Sequence, residues 1–198
     1  MIIRYLDNRK KIMVALETPI CDFGWKAPEF NLIGIDNKYY SFQDIKGPNG
    51  TLVMFICNHC PYVKSVIHRI VEDTTILKEK GIGVIAIMSN DVNDPKYGEE
   101  DSFDNMKLFS DKNNFVFPYV YDETQNVGRK YNAVCTPDFF GFNRDLELQY
   151  RGRMRELKDL KPVRSGDSEL FLAMKKIAET GIGPVDQIPS MGCNIKWK

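Results

Sequence analysis

The chain has 198 residues and a mass of 22.8 kDa. That suits one medium domain, which hides about 70% of the surface its open form exposes. Hydrophobic residues make up 43% and charged residues 27%, which excludes a disordered or collagen-like chain. Lys plus Arg and Asp plus Glu balance at 27 each, so net charge points to neither nucleic acid nor an anionic membrane as partner.

No apolar run reaches the roughly 18 residues of a membrane helix, and the N-terminus lacks the basic-then-apolar order of a signal peptide. A cytoplasmic location is expected. The 5 cysteines are an odd number, which argues against a fully paired secreted framework. In a reducing compartment a close cysteine pair points to redox chemistry or metal.

In chain order, residues 30–33 and 39–42 read as strands of a hairpin across Gly34-Ile35-Asp36-Asn37. Gly47-Pro48-Asn49-Gly50 marks a turn. The unbroken apolar run 52–56 predicts a strand buried on both faces, and it delivers the chain to Cys57-Asn58-His59-Cys60-Pro61. Val63, Val66, Ile67, Ile70 and Leu77 then follow at helical spacing, with Pro61 suited to the first turn. Residues 84–88 read as a second buried strand, completing a right-handed βαβ unit.

Residues 101–112 predict a helix, and 117–121 a short strand whose Pro118 suggests an edge or irregular position. Residues 125–133 predict a helix, 138–142 and 146–150 a hairpin, and 169–178 a last amphipathic helix ended by Gly181. The expected organisation is an N-terminal segment over 1–23, a domain over 24–181, and a tail over 182–198 packed as coil on the body.

The chemical centre is Cys57-Asn58-His59-Cys60-Pro61, between buried strand and helix. Unpaired N–H groups and the dipole at the helix start favour negative charge. A lowered pKa is therefore expected at Cys57, which makes it the nucleophile, with Cys60 as the resolving thiol. His59 is expected to add positive charge or a hydrogen bond to the thiolate. The pair is expected at an exposed helix start.

A buried strand ending in CxxC, then a helix, then Thr136-Pro137 before a hairpin, resembles the thioredoxin fold. Trp25-Lys26-Ala27-Pro28-Glu29-Phe30-Asn31-Leu32 resembles the opening of the alkyl hydroperoxide reductase/thiol-specific antioxidant (peroxiredoxin-like) branch. Cys57 to Lys64, Cys135-Thr136-Pro137-Asp138-Phe139-Phe140 and Gly192 to Lys198 are similar to a bacterial redoxin subfamily of that kind, over almost the whole chain.

The resemblance implies an α/β thioredoxin fold, with an N-terminal β-hairpin extension and a central mixed sheet flanked by helices. It implies a cis Pro137 beside the pair, and a Thr136 backbone offered to an extended substrate segment. The implied activity is thiol–disulfide oxidoreduction without an organic cofactor. The implied partners are a protein or small-molecule disulfide or thiol and an external thiol reductant; a homodimer is compatible with the branch. His59, placed as in disulfide isomerases and periplasmic oxidants, implies a potential above the about −270 mV of thioredoxin.

Two alternatives stay open. One is a thiol peroxidase, although the peroxiredoxin Thr is missing, with Met54 three residues before Cys57 and Cys57 three before Cys60. Thr136-Pro137 also stands where the peroxiredoxin Arg is expected. The other is a Cu(I) or metal-binding module on Cys57, Cys60 and His59; no metal is assigned. Cys135 and Cys193 are candidate accessory thiols, each read first as packing. Cys21 is read as incidental, His68 as a surface residue, and Arg151, Arg153 and Arg155 as solvated.

Overall fold

The computed structural model describes the backbone of residues 3–7 and 11–198 and the side chains of residues 15–198. Its central sheet has seven strands. In chain order they are β3 (Asn31–Gly34), β4 (Tyr39–Ser41), β5 (Gly50–Phe55), β6 (Ile82–Met88), β7 (Tyr119–Tyr121), β9 (Asp138–Phe142) and β10 (Leu148–Tyr150). Their spatial order is β10-β9-β5-β6-β7-β3-β4. A second sheet of order β1-β2-β13-β8 joins β1 (Ile3–Asp7), β2 (Lys11–Glu17), β8 (Cys135–Thr136) and β13 (Met191–Asn194). A small hairpin, β11 (Leu157–Lys158) with β12 (Lys161–Pro162), lies apart.

The alternation of side chains along β5 and β6 divides the core. Leu52, Met54, Val84, Ala86 and Met88 face one layer, which also holds α2 (Pro61–Glu79), α3 (Phe103–Asn113) and α5 (Glu169–Thr180). Val53, Phe55, Ile85 and Ile87 face the other, with Phe30, Tyr131, Phe140, Phe142 and the short helices α1 (Phe42–Ile45) and α4 (Asn126–Lys130). This is why β5 is buried along its whole length and reads as a continuous apolar run. β5 and β6 pair in parallel from Gly50↔Ile82 to Phe55↔Ile87, with α2 as the crossover. Gly81 closes the helix at φ +76°, a backbone shape that suits glycine.

Two expectations need correction. β7 is not an edge strand, because it lies between β6 and β3. Pro118 stands just before it, and the Pro118 carbonyl accepts the Ala86 amide at 2.9 Å, so the missing N–H costs no ladder bond. The tail is not coil throughout. Residues 191–194 form β13, held between β2 (Cys193↔Ala15) and β8 (Cys193↔Thr136). Ser190 and Thr18 extend that pairing by exchanging hydrogen bonds at 2.9 and 3.0 Å.

Candidate active site

The CxxC turn leaves β5 at the sheet's centre and enters α2, with Cys60 as the residue capping the helix and Pro61 in its first turn. β8 brings Thr136 alongside, and the Thr136–Pro137 peptide bond is cis. The Thr136 hydroxyl lies 3.1 Å from Cys57 Sγ, and the Cys60 thiol donates to the Thr136 carbonyl at 3.0 Å. Thr136 thus touches both sulfurs. Its backbone edge, expected to be open to a substrate segment, is instead paired with β13.

The strand β13 can approach this closely because residue 192 is glycine: a Cβ there would collide with the Thr136 carbonyl. The Ser190 hydroxyl donates to the Pro137 carbonyl at 2.8 Å and fixes the tail beside the turn. Cys57 and Cys60 are both 0% exposed. The exposed helix start expected from the sequence is therefore corrected: both sulfurs are buried, and β13 is paired with Thr136 beside them.

Burial redistributes the charge as well. At Cys57 burial pushes the thiol well up, and neighbouring Cys60 and the Asp101 carboxylate push it further; the Thr136 hydroxyl opposes them. This direction runs against the lowered pKa expected at Cys57. At Cys60 burial also raises, but hydrogen bonds from the Cys193 and Cys57 thiols and from the Val63 and Cys193 amides outweigh it. The Cys60 thiol is held well below its usual range. Cys60 forms no close capping hydrogen bond, yet the Val63 amide lies near enough to favour a thiolate over a thiol. The anion-friendly helix terminus acts one turn later than the sequence suggests.

His59 takes a different part from the one expected. Its Nδ1 is 2.6 Å from Asp101 Oδ2 and 3.6 Å from Cys57 Sγ, so its proton is directed first to the carboxylate. Any positive charge on the ring is matched at once by Asp101. The ring stacks on Tyr97, with centroids 4.2 Å apart.

Asp101 is the site residue that sequence reading missed. Fully buried, it accepts the Asn58 and His59 amides at 2.9 and 3.2 Å on one oxygen. The other oxygen accepts His59 and the Asn90 side chain, the latter at 2.8 Å. It had been read only as the first residue of a helix 42 positions beyond His59. Nothing local marks it, since its function depends on where the loop before α3 folds back.

Cys135 is 0% exposed, and burial followed by the Asp138 charge raises its thiol well above the usual range, consistent with a packing role. Cys193 lies against Cys60, to which it hydrogen-bonds. Cys21 is half-buried and distant in the chain from this cluster, and His68 is exposed, as expected. Arg151 is not solvated: it is buried and pairs with Asp138 at 3.0 Å. Arg153 pairs with Glu169 at 2.9 Å.

Residues 23–151 match the family model of the AhpC/TSA family. The chain belongs to this redoxin family, and its broad chemical class is oxidoreductase. An uncharacterized conserved protein from Geobacillus kaustophilus is similar at 39% identity with a TM-score of 0.86, over 93% of this chain and 96% of that one. A hypothetical protein from Sinorhizobium meliloti is similar at 28% identity and TM-score 0.83, over 92% and 98%. A thiol:disulfide interchange protein of the thioredoxin family from Chlorobium tepidum shares the fold, at 16% identity and TM-score 0.58, over 81% and 97%. The architecture is the thioredoxin fold, as the resemblance implied. No curated protein matches the chain.

Proposed function

We propose that the protein is a thiol–disulfide oxidoreductase working through Cys57 and Cys60. The observation that carries this reading is the contact of both sulfurs with one residue, Thr136, beside a cis proline at the start of a 19-residue helix. The Cys60 thiolate attacks a substrate disulfide, and the leaving substrate sulfur takes a proton. Cys57 then attacks the Cys60 sulfur of the mixed disulfide. The second substrate thiol departs, and the Cys57–Cys60 disulfide remains. An external thiol reductant of the cell interior restores the dithiol; run backwards, the same steps oxidise a dithiol. These roles are the reverse of those expected from sequence; they follow the directions in which the two thiols are shifted, and a Cys60 thiolate gives up the bond its thiol donates to the Thr136 carbonyl. His59 and Asp101 hold the turn rather than react.

Peroxide reduction fits the site less well. The charged neighbours acting on Cys57, Asp101 and Cys60, oppose a thiolate there. The buried Arg151 is spent on Asp138. A metal reading draws on Cys57, His59 and Asp101, whose donor atoms lie within 4.8 Å of one another. Against it, Asp101 already accepts four hydrogen bonds, and a carboxylate is a poor companion for the soft thiolate sites that select Cu(I).

The test is insulin reduction with dithiothreitol as donor. Cys60→Ser is expected to abolish turnover, and Cys57→Ser combined with Cys193→Ser, which leaves no second thiol beside Cys60, to accumulate mixed disulfides on Cys60. Trapping on Cys57 in Cys60→Ser protein would reverse the roles. Full activity in both variants would refute the reading.

A further inference from the structure

Both sulfurs of the proposed couple are buried, and β13, which pairs with Thr136 beside them, carries a thiol of its own. Cys193 lies across the ladder from Thr136, whose carbonyl accepts the Cys60 thiol at 3.0 Å, and so stands beside Cys60. On its other side Cys193 lines a cavity of about 340 Å³, whose walls include Ala15, Tyr62, Leu157, Leu160 and Met191. Neither Cys57 nor Cys60 lines that cavity. The three sulfurs therefore form a chain running from the buried turn to a space an outside thiol can enter.

We infer that Cys193 is a third redox thiol, which carries the disulfide from the buried pair to the cavity wall. The inference rests on the dithiol reading above. The Cys193 thiolate attacks Sγ of Cys60 in the Cys57–Cys60 disulfide. A Cys60–Cys193 bond forms and the Cys57–Cys60 bond breaks. The Cys57 sulfur leaves with the electron pair and takes up the proton that Cys193 gave off. One disulfide is exchanged for another, so no oxidant or reductant enters the step. The reverse step returns reducing equivalents from the cavity to the buried pair.

The charge arrangement suits this direction. In the dithiol form Cys193 is held as a thiol chiefly by donating to the Cys60 sulfur, and then by burial. Once Cys60 is in a disulfide its negative charge is gone. Lys196, whose charge lowers the Cys193 pKa, remains. The tail thus carries a thiol that is quiet when the pair is reduced and released to react when it is oxidised. The second sheet fixes the tail in place, with β2 on one side of β13 and β8 on the other.

Two measurements test the relay on the full-length protein. Reduced Cys57→Ser protein is treated with one equivalent of diamide, quenched in acid, and peptide-mapped by mass spectrometry. A Cys60–Cys193 bridge is expected as the main product; Cys193 left free while Cys60 is oxidised would overturn the relay. The unsubstituted protein is then equilibrated in glutathione buffers and mapped in the same way. Cys60–Cys193 is expected to accompany Cys57–Cys60. Finding only Cys57–Cys60 would overturn the relay and leave the dithiol reading standing. Finding neither bridge would sink the dithiol reading itself.

Discussion

Cys193 lies directly across an antiparallel ladder from Thr136, the residue whose carbonyl accepts the Cys60 thiol at 3.0 Å. The C-terminal strand therefore occupies the backbone edge next to the cis proline. It both shields the cysteine pair and supplies hydrogen bonds, from the Cys193 amide and thiol, that favour a Cys60 thiolate. Cover and activation come from the same strand.

Titration of the reduced protein, followed by thiolate ultraviolet absorbance, should show one thiol ionising well below the ordinary value of 9.0. Because that pKa is lowered, the thiolate signal persists to lower pH than that of an ordinary cysteine. Cys60→Ser should remove this transition, and Cys57→Ser should retain it. Retention in Cys60→Ser protein would place the anion elsewhere.

Gly192→Ala should loosen the cover. The new methyl group meets the Thr136 carbonyl, so β13 must retreat from β8. Overpacking of this kind costs about 1–3 kcal/mol. Denaturant unfolding should show the loss, and iodoacetamide should label Cys60 faster than in the unsubstituted protein. Unchanged labelling would mean that β13 does not control access.

Asp101→Ala should destabilise the protein by about 3 kcal/mol or more, since buried donors lose their only charged acceptor. The Asn58 and His59 amides, the His59 ring and the Asn90 side chain are the donors in question. Thermal unfolding checks this. A loss under about 1 kcal/mol, the scale of an ordinary surface substitution, would contradict the placement of Asp101 at the hub of the turn.

Much of this was legible in the sequence, and the limits are physical. Leu52 to Ile56 and Val84 to Met88 announce a doubly covered sheet because a strand packed on both faces has no polar side. Cys57 and Cys60 stand out by their spacing at the junction of a buried strand and a helix, and Thr136 and Pro137 through the resemblance to known redoxins. Asp101 was not legible, because its partners in the CxxC turn, Asn58 and His59, lie more than 40 positions away and only the folded loop joins them. Met191 to Asn194 is too short, and too poor in β-formers, to announce a strand between Pro189 and the chain end. Its pairing depends on neighbours at residues 15–17 and 135–136. Burial disfavours a thiolate at Cys57, and the hydrogen bonds that favour one at Cys60 come partly from Cys193 in the tail, an effect that no local pattern encodes.

Asp138, directly after the cis proline, gives the stability a pH signature. Burial raises its carboxyl from 3.8 to about 6, with the Arg151 guanidinium opposing. A carboxyl raised in the folded state binds its proton more tightly there than in the unfolded chain. Its contribution is thus fully present below about 3.8 and is lost as pH rises through about 6. The change is on the order of 3 kcal/mol at about 1.4 kcal/mol per pKa unit. Over that window the unsubstituted protein should lose stability relative to Asp138→Asn as pH rises. Denaturant unfolding at several pH values measures this, and the opposite slope would contradict it.

The central claim is that Cys57 and Cys60 interconvert between dithiol and disulfide. Equilibration in dithiothreitol buffers, acid quench and peptide mapping tests it most directly. The account predicts a two-electron transition that forms the Cys57–Cys60 disulfide, accompanied by its Cys60–Cys193 exchange product, at a potential above the about −270 mV of thioredoxin, because the Cys60 thiolate is stabilised in the reduced form. Two free thiols at every potential, or a potential at or below that of thioredoxin, would contradict it.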